Sequence, residues 1–122
     1  MVVGVVRLSL FLADNDSLKG KRSVVRSLIG KVRAKFNLAA AEVGALDEHR
    51  RAELGFAVVS NQRRHAQAML SKLIAYCEKH AEAEIAGVTT ELLPMGSGVG
   101  APMVADSDLD LPPSWSGEKE PD

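Results

Sequence analysis

Several groups of side chains in this sequence are of types that could do chemistry. The largest is cationic: Lys19, Lys21, Arg22, Arg26, Lys31, Arg33 and Lys35 all fall between Ser17 and Phe36, a stretch with no Asp or Glu. Such a run can hold phosphate through charge-assisted hydrogen bonds. It cannot neutralise itself through ion pairs three or four residues apart. The stretch is also periodic: Leu18, Val25, Leu28, Ile29, Val32 and Phe36 recur at helical spacing, so the charges sit on an amphipathic helix. At roughly 100° per residue, Lys19, Arg22, Arg26 and Arg33 lie within about 60° of one another, beside the apolar stripe.

The other groups are weaker. Glu42, Glu53 and Glu91 are expected to share an open sheet face with Arg7, and paired carboxylates can do acid and base work when their surroundings split their pKa values. On an exposed sheet beside an arginine, the simpler role is a solvated or ion-paired surface. His49, His65, His80 and Cys77 are the only soft ligands. None stands in a Cys-x-x-Cys or His-Glu-x-x-His pattern, and a metal centre needs three or four converging side chains, so neither metal nor cofactor is expected. Ser17, Ser23 and Ser60 lack the elbow motif of a nucleophile, and spacing pairs no base with them. No catalytic residue is assigned. The run Gly96-Ser97-Gly98-Val99-Gly100 leads into Ala101-Pro102 instead of opening a helix and has no Lys-Ser or Lys-Thr pair, which marks a linker and not a phosphate loop.

The elements that must position these groups follow from periodicity. Val2 to Leu12 alternates as a strand with one buried face, and Asp14 to Asp16 breaks it. Ser17 is placed to cap the basic helix, since its hydroxyl can accept from a free N–H of the first turn. Ala39 to Leu46 forms a weaker strand, Asp47 to Arg50 a turn, and Ala52 to Ser60 a clearer strand. Ser60 or Asn61 caps a second helix whose stripe is Ala66, Met69, Leu70, Leu73, Ile74 and Cys77, ending near His80. Ile85 to Leu93 is the last strand, stopped by Pro94.

The order β-α-β-β-α-β, with one apolar stripe on each helix, predicts an α+β ferredoxin-like sandwich: a four-stranded antiparallel sheet with both helices on one face. Its open face carries Arg7, Ser9, Glu53, Gly55 and Ala57 on the central strands, with Phe11 alone at one end. Sheets that stack RNA bases use aromatic residues there, so base stacking on this sheet is not expected.

Length and charge set the domain plan. At 122 residues the chain suits one domain, read as residues 1–94, followed by a disordered acidic Gly/Pro/Ser-rich tail over 95–122. Residues 1–93 hold 14 Lys and Arg against 10 Asp and Glu, net +4, whereas the last 29 residues carry −5. The tail could fold back over the basic helix and mask it. A single cysteine excludes an intrachain disulfide and fits a reducing compartment. The apolar start, broken by Gly4, Arg7 and Ser9, is neither a signal peptide nor the ~20 residues of a membrane span. A cytoplasmic protein with no membrane partner is the expectation.

The motifs Ser17-Leu18-Lys19-Gly20-Lys21-Arg22, Val24-Val25-Arg26-Ser27-Leu28, Phe36-Asn37, Ala41-Glu42-Val43, Arg51-Ala52-Glu53-Leu54-Gly55 and Val58-Val59-Ser60-Asn61, with Arg63-Arg64-His65, resemble in this order the YlxP family, a bacterial domain of unknown function. The likeness covers about residues 1 to 93 and implies a ferredoxin-like fold. Where that family usually has an aromatic in the turn between its middle strands, commonly Trp, this chain has His49 among Asp47, Glu48 and Arg50. Genes of the family commonly neighbour those for transcription termination, translation initiation and small-subunit maturation factors, an association that implies an RNA or ribosome connection.

These observations converge on a non-enzymatic accessory protein that docks on structured RNA, with ribosomal RNA or a small-subunit precursor as partner. Lys19, Lys21, Arg22, Arg26 and Arg33 are the expected phosphate contacts, helped by Arg63 and Arg64 at the start of the second helix. The alternative is a homodimeric structural or small-ligand-binding regulatory domain that pairs its open sheets or edge strands, with Arg7, Glu42, Glu53 and Glu91 in the interface.

Overall fold

The computed structural model describes residues 1–96. The glycines beyond Gly96 and the segment to Asp122, expected above as linker and disordered tail, lie outside the described residues. Six elements follow one another: β1 (Val2–Phe11), α1 (Leu18–Lys35), β2 (Ala39–Gly44), β3 (Arg51–Ser60), α2 (Arg63–His80) and β4 (Glu84–Pro94). The sheet order is β2-β3-β1-β4, every neighbouring pair antiparallel, which is the ferredoxin-like arrangement anticipated from the pattern.

The central strand β1 explains why the fold closes. Its Val2, Val6, Leu8 and Leu10 point to the helices and are buried, while Arg7 and Phe11 point away and are exposed. Gly4 lies on the helix side where a side chain would not fit: a Cβ there would stand 3.1 Å from Leu70 Cδ1 and from Val58 Cγ2. Helix α2 therefore approaches β1 more closely at this point than any larger residue would permit.

Each helix contributes a stripe at spacings of four, three and four. On α2 it is Ala66, Leu70, Leu73 and Cys77, all apolar. On α1 it is Lys21, Val25, Leu28 and Val32, so a lysine occupies a core position. Leu8, Leu28, Leu54 and Leu73 are at most 1% exposed, and each such burial stabilises the fold by roughly 1.5–3 kcal/mol. The helices meet through Phe36 and Tyr76, whose rings pack edge to face at 5.5 Å.

Helix starts differ. Ser17 Oγ accepts the Gly20 N–H at 3.0 Å, as a capping serine should. Helix α2 begins instead after Gln62, which makes no side-chain cap, so neither Ser60 nor Asn61 is its cap residue. Ser60 acts one step earlier: its hydroxyl accepts the Gln62 N–H at 3.0 Å and meets His65 Nδ1 at 3.0 Å. Among the described residues no helix is long and apolar enough to cross a membrane.

Candidate nucleic-acid interface

The first turn of α1 is fixed by its surroundings before it can present any charge. Asn15 donates through Nδ2 to Ser17 O at 2.7 Å and to His49 O at 2.6 Å, and Arg50 Nε returns a bond to Asn15 O at 3.1 Å. The loop after β1 is thereby tied to the β2–β3 turn. His49, standing where the resembled family has an aromatic, takes part through its backbone carbonyl and leaves its ring exposed.

The seven sequence-predicted cations separate into four groups. Lys19, Arg22 and Arg26 are exposed, and none has an ion-pair partner among the described residues. With Ser23 and Ser27 they line one shallow surface depression on two successive turns of α1. Arg63 and Arg64 are also exposed. They follow Ser60, which pairs with Val2, whereas α1 follows Phe11, which pairs with Arg51 at the far end of the sheet. Those two ends are about 30 Å apart along a ten-residue strand. The structure therefore does not bring Arg63 and Arg64 together with Lys19 and Arg22.

Lys21 is a correction. Its side chain is 1% exposed and cannot reach a phosphate. Its ammonium donates to Ala45 O at 2.7 Å and to Leu46 O and Arg51 O at 3.3 Å, and stands 3.0 Å from Glu42 Oε2. The physical reason lies in helical phase: Leu18, Lys21, Val25, Leu28 and Val32 step by three and four, so Lys21 faces the sheet. That spacing is the signal of its burial in the sequence. Arg33 is only partly free. Its Nη2 donates to Ala40 O at 2.6 Å and occupies the margin of the edge strand β2, a common way to shield such an edge.

The carboxylates are corrected too. Glu42 pairs with Leu54, whose buried side faces the helices, so it lies on the covered side of the sheet against Lys21, not on the open face. The register breaks just after it, between Glu42 and Gly44, and Val43 is turned to the open side over Gly55. Glu53 is on the open face but only 7% exposed. It accepts from Ser9 Oγ at 2.8 Å, Arg7 Nε at 3.0 Å and Arg51 Nη2 at 3.2 Å. The Ser9 hydroxyl, opposed by burial and reinforced by the Arg7 and Arg51 guanidiniums, holds its carboxyl below the usual glutamate range. Glu91, exposed, has no ion-pair partner among the described residues. The three carboxylates thus have separate environments and form no acid–base pair.

Soft ligands are likewise dispersed: among the described residues no three of His, Cys, Asp or Glu gather as a metal set. Burial pushes the Cys77 thiol up to about 11, so it stays protonated and unreactive at neutral pH. Ser60 and His65 do meet, a pairing that spacing did not reveal. The serine is nearly buried and already accepts the Gln62 N–H, so the pair fastens the entry to α2.

The sequence matches known proteins over the described residues. Residues 3–90 match the family model described as "Protein of unknown function (DUF503)". The chain is 30% identical over 90 residues to the uncharacterized protein YlxP of Bacillus subtilis (strain 168), covering 74% of this chain and 98% of that one. Among solved structures, the structural-genomics protein YJCS covers 73% of this chain and 96% of its own at 11% identity, with a TM-score of 0.42.

Proposed function

The chain belongs to the DUF503 family, and from that premise we propose that it is a non-enzymatic accessory protein that docks on structured RNA through the exposed face of α1. One observation carries the reading. Lys19, Arg22 and Arg26 project from adjacent turns of a helix with no acidic residue in it, and nothing among the described residues neutralises them. Cations held in this way release counterions from a phosphate backbone, and Ser23 and Ser27 between them add hydroxyl donors.

The open sheet supports the helix as the contact surface by elimination. Its open face carries Glu53 on a central strand, Glu91 on the edge strand β4 and a single ring, Phe11, at one end of β1, which offers no stacking platform for bases. Contact is then with backbone and shape, without base-specific reading. Ribosomal RNA or a small-subunit precursor is the partner in the direction the family resemblance implies.

A salt titration of binding to small-subunit ribosomal RNA tests this. Replacing Lys19, Arg22 and Arg26 together by Ala should weaken binding and flatten the salt dependence by about two to three in log–log slope. An unchanged affinity in the triple variant would end the proposal.

A further inference from the structure

The open face of the sheet remains without an assigned role, and its residues fall into rows set by strand register. Val59, Val3 and Leu93 form one row across β3, β1 and β4. Ala39, Ala57, Val5 and Glu91 form the next, and Ala41, Gly55, Arg7 and Thr89 the one beyond. Val59 is 63% exposed, Val43 52% and Leu93 42%, so the face holds large apolar side chains in water. No helix or loop among the described residues covers them.

We infer that this face binds the same face of a second copy of the chain, the apolar rows meeting at the seam and Arg7 of each copy closing on Glu91 of the other. Charge complementarity selects this occupant. A twofold contact places one patch against itself, so the patch must carry both members of every ion pair it makes. This one does. Arg7 is 61% exposed, anchored at its Nε by Glu53, and Glu91 lies on the neighbouring strand one row away without a partner among the described residues. Two sheets packed face to face stand about 10 Å apart, within the combined reach of an arginine and a glutamate. A polyanion gains little here, because the Arg7 and Arg51 guanidiniums are already paired with Glu53, and Glu91 adds a negative charge unpaired among the described residues. Both helices are on the opposite side, so the pairing leaves the α1 cations of both copies exposed and is independent of the RNA reading.

Light scattering and sedimentation velocity on the full chain test the inference. The expected mass is twice the 13.0 kDa of one chain at micromolar concentration. Val59→Glu places an unpaired charge in the seam and should raise the dimer Kd about a hundredfold or more. Glu91→Arg sets like charges against Arg7 and should raise it about tenfold, with the deficit shrinking as salt is added. Both positions are exposed in the single chain, so an unchanged far-UV circular dichroism spectrum shows that the variants fold, while their melting temperatures should fall with the lost association. A wild-type monomer overturns the inference, and so does a dimer whose Kd neither substitution moves, since that contact lies elsewhere. Trp115, the sole tryptophan, reports the third occupant: a monomer with blue-shifted emission that Val59→Glu abolishes means the chain's own C-terminal segment covers the face, and overturns it equally.

Discussion

The ammonium of Lys21 and the carboxylate of Glu42 lie 3.0 Å apart on the covered side of the sheet, one from the first turn of α1 and the other from the edge strand β2. The ammonium donates to Ala45 O, Leu46 O and Arg51 O, and Glu42 Oε2, which has no aligned hydrogen bond, is held by charge. This one side chain ties α1 to the turn that contains Ala45, the only non-glycine residue of positive φ among those described. Lys21→Met should therefore destabilise the protein by about 3–5 kcal/mol, because it leaves a carboxylate and three carbonyls without their donor. Urea unfolding measures the loss, and the double variant with Glu42→Leu should recover only part of it, since the carbonyls remain unpaired.

Glu53 makes stability depend on acid pH. Its folded pKa is depressed below the ordinary 4.5, chiefly by the Ser9 hydroxyl and then by Arg7 and Arg51. A depressed carboxylate contributes stability that is fully present above its unfolded pKa and is lost as pH falls through the folded value. The denaturation midpoint of the wild type should therefore fall more steeply below pH 4.5 than that of Glu53→Gln, which has no such charge to lose. Parallel acid limbs in the two proteins would show that the carboxylate is not held as described.

Two glycines of α1 should respond oppositely to alanine. A Cβ on Gly30 meets nothing within 4 Å, so Gly30→Ala should stabilise by about 0.4–1 kcal/mol. On Gly20 the added atom would fall 2.2 Å from Asn15 Oδ1, and that side chain cannot withdraw without breaking its bonds to Ser17 O and His49 O. Gly20→Ala should destabilise despite the better helix propensity of alanine, and thermal melting distinguishes the two signs.

Cys77 should resist alkylation in the native protein. Its thiol is 1% exposed and its pKa is raised to about 11, so neither access nor thiolate is provided near neutrality. Iodoacetamide labelling should proceed only through unfolding, and its rate should rise in the destabilised Lys21→Met variant.

The surface cations should separate from the buried one in the same assays. Lys19→Ala, Arg22→Ala and Arg26→Ala should each change stability by no more than about 0.5 kcal/mol, as exposed positions do. Their cost should appear in polyanion binding, whereas the cost of Lys21→Met should appear in unfolding.

The sequence by itself determined the element order, the two helical stripes, the Ser17 cap and the ferredoxin-like class, because these follow from local periodicity and from side chains bonding within a few residues of themselves. It also located the cationic helix, since composition is visible without coordinates. Tertiary structure alone decided what each charge does. Lys21 lies in phase with Val25 and Leu28, and its burial depends on three carbonyls and a carboxylate supplied 21 to 30 residues later, which no local pattern encodes. Glu42 and Glu53 looked alike as strand carboxylates. The pairing of Glu42 with Leu54 put one on the helix-covered side, and the arginines on β1 and β3 closed the other into an ion cluster. Charge reads out in a sequence as number and spacing, while exposure is a property of what the rest of the chain packs around it.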